Sequence, residues 1–240
     1  MSQYVPRLDQ ESKATRARAS SKRVALATLS CLLGFVGFWA GAMALYPGGT
    51  WLDRSHRGES FFANFFCDLA QPVSLSGVAN PVGSRLAQFG MLLFAAALGG
   101  FFWVLPEHFA PGSRCRSWVR RAGGLSVLVF AFVPLTPSER FGRLHAVLAL
   151  VSGGLGLLAA LLAVWALFAS GGRSRALALL GSLALAVGGV DTVLFIEHLA
   201  DSAPPPLLVP AAQKIAALIL SAWMVSVASL TLLDDNSRRA

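Results

Sequence analysis

Between Val24 and Tyr46 the chain runs for 23 residues without a charged side chain. At a rise of about 1.5 Å per residue, a run of that length crosses the hydrocarbon core of a bilayer as a helix. Lipid offers no partners to backbone N–H and C=O groups, so a helix that bonds itself is the fold such a run can adopt there. Five more apolar runs follow: Leu86–Leu105, Ala122–Leu135, Leu144–Phe168, Ala176–Leu199 and Ile215–Leu233. The third is short, and Pro134 is expected to end or kink it. Counting Val119 and Pro137 as its flanks brings it near membrane thickness, with some local thinning. The expected fold is therefore all-α. It is a polytopic membrane protein with a six-transmembrane-helix bundle over residues 24–233. A disordered basic cytoplasmic tail (1–23) precedes the bundle, and a C-terminal tail (234–240) follows it.

Charge sets the expected orientation. Only 13% of the 240 residues are charged while 55% are hydrophobic, against about 25% charged in soluble domains. Of the 20 Lys and Arg residues, fourteen fall on the side of the two termini and six on the other. The excess places both termini in the cytoplasm. Ala42-Met43-Ala44 resembles a signal-peptidase site, but the basic region before the first run is long and the run exceeds a signal core, so a retained first span is expected. Arg outnumbers Lys, and the chain is rich in Ala, Gly and Leu, a bias of GC-rich bacterial genomes. The expected location is the bacterial inner (plasma) membrane, multi-pass. No basic patch with interleaved aromatic residues indicates nucleic acid.

Tyr46–Asn80 is too polar to cross a bilayer and is expected as a long outer loop. Within it, Ser60, Asn64, Cys67 and Asp68 recur at helical spacing, and Phe61, Phe62, Phe65, Phe66 and Leu69 occupy the rest of the wheel. The pattern predicts a short amphipathic helix with its polar face toward the bundle and its rings in lipid. Asp53, His56, Glu59, Asp68, His145, Asp191, Glu197, His198, Asp201 and Lys214 all fall on this outer side. Asp191 lies inside a span, where insertion of a carboxylate costs about 2.5–3.5 kcal/mol and calls for a partner. His198, seven residues on, shares its helix face.

The candidate ligand-binding pocket is Ser60, Asn64, Asp68, His145, Asp191, His198 and Lys214. A plain alternative is that Asp191, neutralised by a neighbouring Lys, His or hydroxyl such as Thr192, only pins helices together. Asp68, His145 and His198, with Asp191 or His56 as a fourth donor, are of the types that bind zinc. They share no ligand-spacing motif, however, and would have to converge from separate segments. No metal and no other cofactor is expected outside that reading, in which Ser60 or Asn64 would face an oxyanion. Cys31, Cys67 and Cys115 form no Cys-x-x-Cys pair, and the expected topology keeps Cys67 and Cys115 on opposite sides. Gly37-x-x-x-Gly41 and the pairs Gly123-Gly124, Gly153-Gly154 and Gly188-Gly189 are expected to let helices approach closely.

Four short motifs carry a resemblance. They are YPGG at Tyr46–Gly49, SFFANFFCDL at Ser60–Leu69, VPLTP at Val133–Pro137 and LHAVLAL at Leu144–Leu150. Together they resemble a bacterial six-span membrane family without an assigned activity, related to the DRAM/Sfk/FRAG-type membrane proteins. The resemblance spans most of Val24–Leu233 and implies six helices with the polar loop outside. Where those relatives often carry Ser before Asp-Leu, this chain has Cys67, which weakens a hydroxyl role there.

Three functions are open at this level. The first is binding of a lipid or membrane partner through an outward-facing polar pocket, with membrane lipids and a membrane-protein partner or second copy as partners. The second is a metal-dependent hydrolase or lipid-modifying enzyme at the outer leaflet. The third is a small proton-coupled transporter built on Asp191, although no inverted repeat is visible.

Overall fold

The computed structural model describes residues 5–200 and 205–233, and among them it is all-helical, with no named strand. The major helices are α1 (Val5–Leu45), α3 (Pro81–Val104), α4 (Cys115–Phe130), α6 (Arg143–Ser170), α7 (Ser174–Ala200) and α8 (Leu208–Leu233). Two one-turn helices, α2 (Phe66–Leu69) and α5 (Ser138–Phe141), lie in the connections, and a 3₁₀ turn (Leu105–His108) extends α3. The expected C-terminal tail at 234–240 and Asp201 lie outside the described residues.

Five helices among the described residues are long and apolar enough to cross a membrane. These are α1, α3 with its 3₁₀ extension, α6, α7 and α8, as in a multi-pass membrane protein. The third expected span is the exception: α4 has 16 residues and begins with the basic stretch containing Arg116, Arg120 and Arg121. It stops at Phe130, earlier than the expected Leu135. Pro134 has no N–H to give to Phe130, and the chain turns there instead through bonds from Val133 N to Phe130 O and from Thr136 N to Val133 O.

The basic tail also differs from expectation. From Val5 onward it is continuous with the first helix rather than disordered. Glu11, Lys13, Ala14, Arg16, Ala17, Arg18 and Ala19 are good helix formers, and a helix already nucleated in the apolar run propagates through them at little cost.

The helices close a ring. α1 packs on α3, α3 on α4, α4 on α6, α6 on α7, α7 on α8, and α8 returns to α1. Small residues permit the closest approaches. A Cβ on Gly123 would stand 2.3 Å from the Phe102 ring, and one on Gly181 would stand 2.5 Å from Trp223. Gly37, Gly153 and Gly154 are different, since a Cβ there would meet nothing within 4 Å. The close-packing role expected there is not that of Gly37 or of the Gly153-Gly154 pair, whereas a Cβ on Gly41 would stand 3.4 Å from the Leu86 side chain. One apolar cluster fills the ring around Phe101, Leu167 and Trp223. A second, around Trp39, Tyr46, Leu69 and Met91, seals the end covered by the 46–80 loop.

Candidate functional site

The loop is folded by its own polar groups. Gly48 and Gly49 have φ of 139° and 88°, values that only glycine adopts readily. They let the backbone pass against Ser76: Ser76 N donates to Gly48 O, and a Cβ on Gly49 would lie 2.2 Å from Ser76 N. Tyr46 Oη accepts from Leu75 N at 3.1 Å, and burial pushes the phenol up to about 12.

The amphipathic helix expected over Ser60–Leu69 is a turn followed by one helical turn, α2. Side chains compete with the helix here. Asn64 Oδ1 accepts from Ser60 N at 2.9 Å, while Asp68 Oδ2 reaches back to Phe65 N at 2.7 Å and caps α2. Asn64 and Asp68 face inward as expected. Phe65 and Leu69 are buried too, so the rings are split: Phe61 and Phe62 are exposed, whereas Phe66 packs edge-on against Trp39. Asn64 Nδ2 donates to Gly49 O at 2.9 Å, which commits that amide to holding the loop.

Lys214 is the anchor between loop and bundle. Instead of opening its helix, it sits two turns inside α8, completely buried. Its Nζ donates to the carbonyls of Phe61 and Asn64, and it pairs with Glu59 Oε1 at 3.4 Å. It also stands 5.0 Å from the centroid of the Phe61 ring. A buried ammonium is tolerated only when so surrounded. Burial holds the Glu59 carboxyl above its ordinary range, against the pull of Lys214.

Asp68 is buried, and both its oxygens accept from Trp51 Nε1 at 3.2 Å. Burial pushes its pKa up to about 6, opposed by the Phe65 N–H, Trp51 and, more weakly, Lys214. The His198 ring stacks on Phe65 with centroids 5.7 Å apart and meets Trp51 at 6.1 Å. Asp68 and His198 therefore share two neighbours. Asp191 lies deeper and bonds no described residue. Asp191 and His198 lie seven residues apart on α7, and the His198 ring packs among the loop aromatics.

His145 is buried at the start of α6. Its Nδ1 lies 2.7 Å from Thr136 O and its Nε2 lies 3.1 Å from Cys67 Sγ. Gln71, nearby in the loop, donates to Ser138 Oγ at 2.6 Å and to Cys67 O at 3.1 Å, and accepts from Glu139 N at 3.2 Å. These bonds dock the loop onto the α4–α6 connection. All three cysteines are free thiols.

Inside the ring is a cavity of about 290 Å³. Its wall is mostly apolar, with Phe35, Phe94, Leu157 and Trp223 among the lining residues. Cys67, Asp191, Thr192 and Gln213 supply the polar groups near the loop end. Gln213 was not singled out in the sequence, yet its Oε1 accepts from Phe66 N at 2.9 Å. Along α8, Gln213 and Trp223 are about 15 Å apart, so the cavity is elongated along the helices.

The candidate site thus divides in two. Ser60, Asn64, Asp68, His198 and Lys214 belong to the loop and its anchor. Asp191 lies on the cavity wall, and His145 stands behind Cys67, which does too. Among the described residues no three of His, Cys, Asp and Glu gather as a metal would require. His56 is exposed on the loop. Compared with family models, with curated proteins and with solved structures, the chain has no significant match.

Proposed function

We propose that this chain is a six-span inner-membrane protein whose helix ring binds a lipid-like amphiphile, with the 46–80 loop as its outer cover. α4, extended by the turns to Thr136, makes the sixth crossing in this reading, and the Lys and Arg excess sets both termini in the cytoplasm. The resemblance to the six-span family related to DRAM/Sfk/FRAG-type proteins agrees with that count.

The elongated cavity carries the reading. Ligand sites are concave, mainly apolar and furnished with a few convergent polar groups. Here the apolar wall suits an acyl chain. The Asp191 carboxylate and the Nε2 of Gln213, neither bonded to a described residue, suit the hydroxyl and carbonyl oxygens of a headgroup. The half-buried carboxylate then has its partner in the ligand.

Thermal unfolding in detergent tests it. Adding a lysophospholipid at 100 times its dissociation constant should stabilise the fold by about 2.7 kcal/mol. No change in midpoint with any lysophospholipid or free fatty acid would count against the binding role. The zinc-hydrolase and proton-transporter readings have no comparable observation in their favour.

A further inference from the structure

We propose that Cys67 and His145 form a nucleophile–base pair that takes an acyl group from a lipid ester in the cavity, through a thioester on Cys67. The inference rests on the binding reading above and names the substrate class.

Four observations converge on it. First, a backbone carbonyl can only accept, so the contact of His145 Nδ1 with Thr136 O at 2.7 Å puts the proton on Nδ1. The neutral ring then presents a lone pair at Nε2, 3.1 Å from Cys67 Sγ. A nucleophile, a base in hydrogen-bond reach and a third group that orients the base are the signature of covalent catalysis. Second, Cys67 lines the cavity, so the thiol meets whatever the cavity holds. Third, Gln213 is also on that wall, and its Oε1 is fixed by the N–H of Phe66, the residue before Cys67. Only the Nε2 donors of that amide remain, which leaves a donor on the same cavity wall as the thiol for a developing oxyanion. Fourth, Gln71 clamps Cys67 O and Ser138 together, holding the loop and the α5–α6 corner in register.

The chemistry balances without a metal or redox partner. The Sγ–carbonyl carbon bond forms as His145 Nε2 takes the thiol proton, and the carbonyl oxygen becomes the oxyanion. The carbon–oxygen bond to the lipid alcohol then breaks, and His145 returns its proton to that alkoxide. Acyl-Cys67 and a free lipid hydroxyl result. A second lipid hydroxyl, or water, attacks the thioester by the same steps in reverse and restores the thiol. Burial pushes the resting thiol up to about 12, so the proton leaves as the bond forms rather than beforehand.

The test uses the full chain purified in detergent, with p-nitrophenyl palmitate as the acyl donor and p-nitrophenyl acetate as the short-chain control. The expected result is a burst of one p-nitrophenolate per chain with the palmitate. Peptide mass spectrometry should then find one palmitoyl thioester, at Cys67 and not at Cys31 or Cys115. Cys67→Ala should abolish the burst, and His145→Gln should slow it by about 10²-fold or more. Gln213→Leu should slow it as well. Cys67→Ser, which keeps the size and the pairing, should give a hydroxylamine-resistant ester in place of the thioester. Label spread over all three cysteines, or an unchanged rate in His145→Gln, overturns the proposal. Retention of palmitate in native mass spectra without any adduct overturns the transfer step alone, whereas no retention overturns the binding reading as well.

Discussion

Lys214 and Glu59, 155 residues apart, form a buried ion pair with Nζ and Oε1 3.4 Å apart, which joins the 46–80 loop to the inside of α8. The lysine is fully buried and the glutamate side chain nearly so. Breaking such a pair from one side leaves an uncompensated charge at a cost of about 3–5 kcal/mol. Glu59→Gln and Lys214→Met should each lower stability by that amount in chemical unfolding. The double variant should lose less than the two together, and additive losses would mean that the pair does not interact.

Asp68 makes the loop sensitive to pH. Its carboxyl is raised by burial from 3.8 to about 6, so the folded state holds the proton more tightly than the unfolded chain does. The stabilisation, about 3 kcal/mol in full, is present below 3.8 and is lost as pH rises through about 6. Glu59, also raised, adds in the same direction, while exposed Asp53, lowered by Ser55, opposes it. Melting in detergent should show a higher midpoint at pH 4.5 than at pH 7.5. Asp68→Asn should remove most of that difference.

Gly49 and Gly77 separate strain from collision. Both have positive φ, 88° and 83°, but a Cβ on Gly49 would strike Ser76 N and the Leu75 carbonyl carbon, while one on Gly77 would meet nothing within 4 Å. Gly77→Ala should cost about 1 kcal/mol. Gly49→Ala should cost clearly more than about 2 kcal/mol, adding displacement of the 75–76 backbone to the strain. Equal melting temperatures for the two variants would contradict the packed loop.

The raised pKa of the half-buried Cys67 predicts a slow thiol. With its pKa pushed up to about 12, iodoacetamide should modify it slowly at pH 7.5 and faster as pH rises. Intact mass spectrometry with Cys31→Ala and Cys115→Ala in the background isolates that site. Rapid labelling at pH 7 would indicate a preformed thiolate and a different role for His145.

What the sequence made legible follows from the range of each signal. Apolar runs report directly on helices, so five spans are visible at once. α4 is ambiguous because its apolar part, from Ala122, is shared between a helix and the turns around Pro134. The inward facing of Asn64 and Asp68 follows from their spacing. Their bonds to Ser60 N and Phe65 N, which break the helix, do not, since a wheel carries no information on local competition. Lys214 reads as an interfacial cation until loop carbonyls are seen above it. The contact of Cys67 with His145 spans 78 residues and has no periodic trace. The one available clue is that the expected topology puts the loop cysteine and the histidine opening α6 on the same side.

The central claim is that the helix ring holds a lipid-like ligand. Native mass spectrometry of the full chain, released from detergent, measures this directly in the parent protein and in Gly153→Phe and Ala217→Phe. Both positions line the cavity, and Gly153 has open space where its side chain would begin. The account predicts a bound lipid on the parent protein, with loss of that mass in the filled variants while both remain folded. A parent protein that carries no lipid, or filled variants that retain it undiminished, would contradict the account.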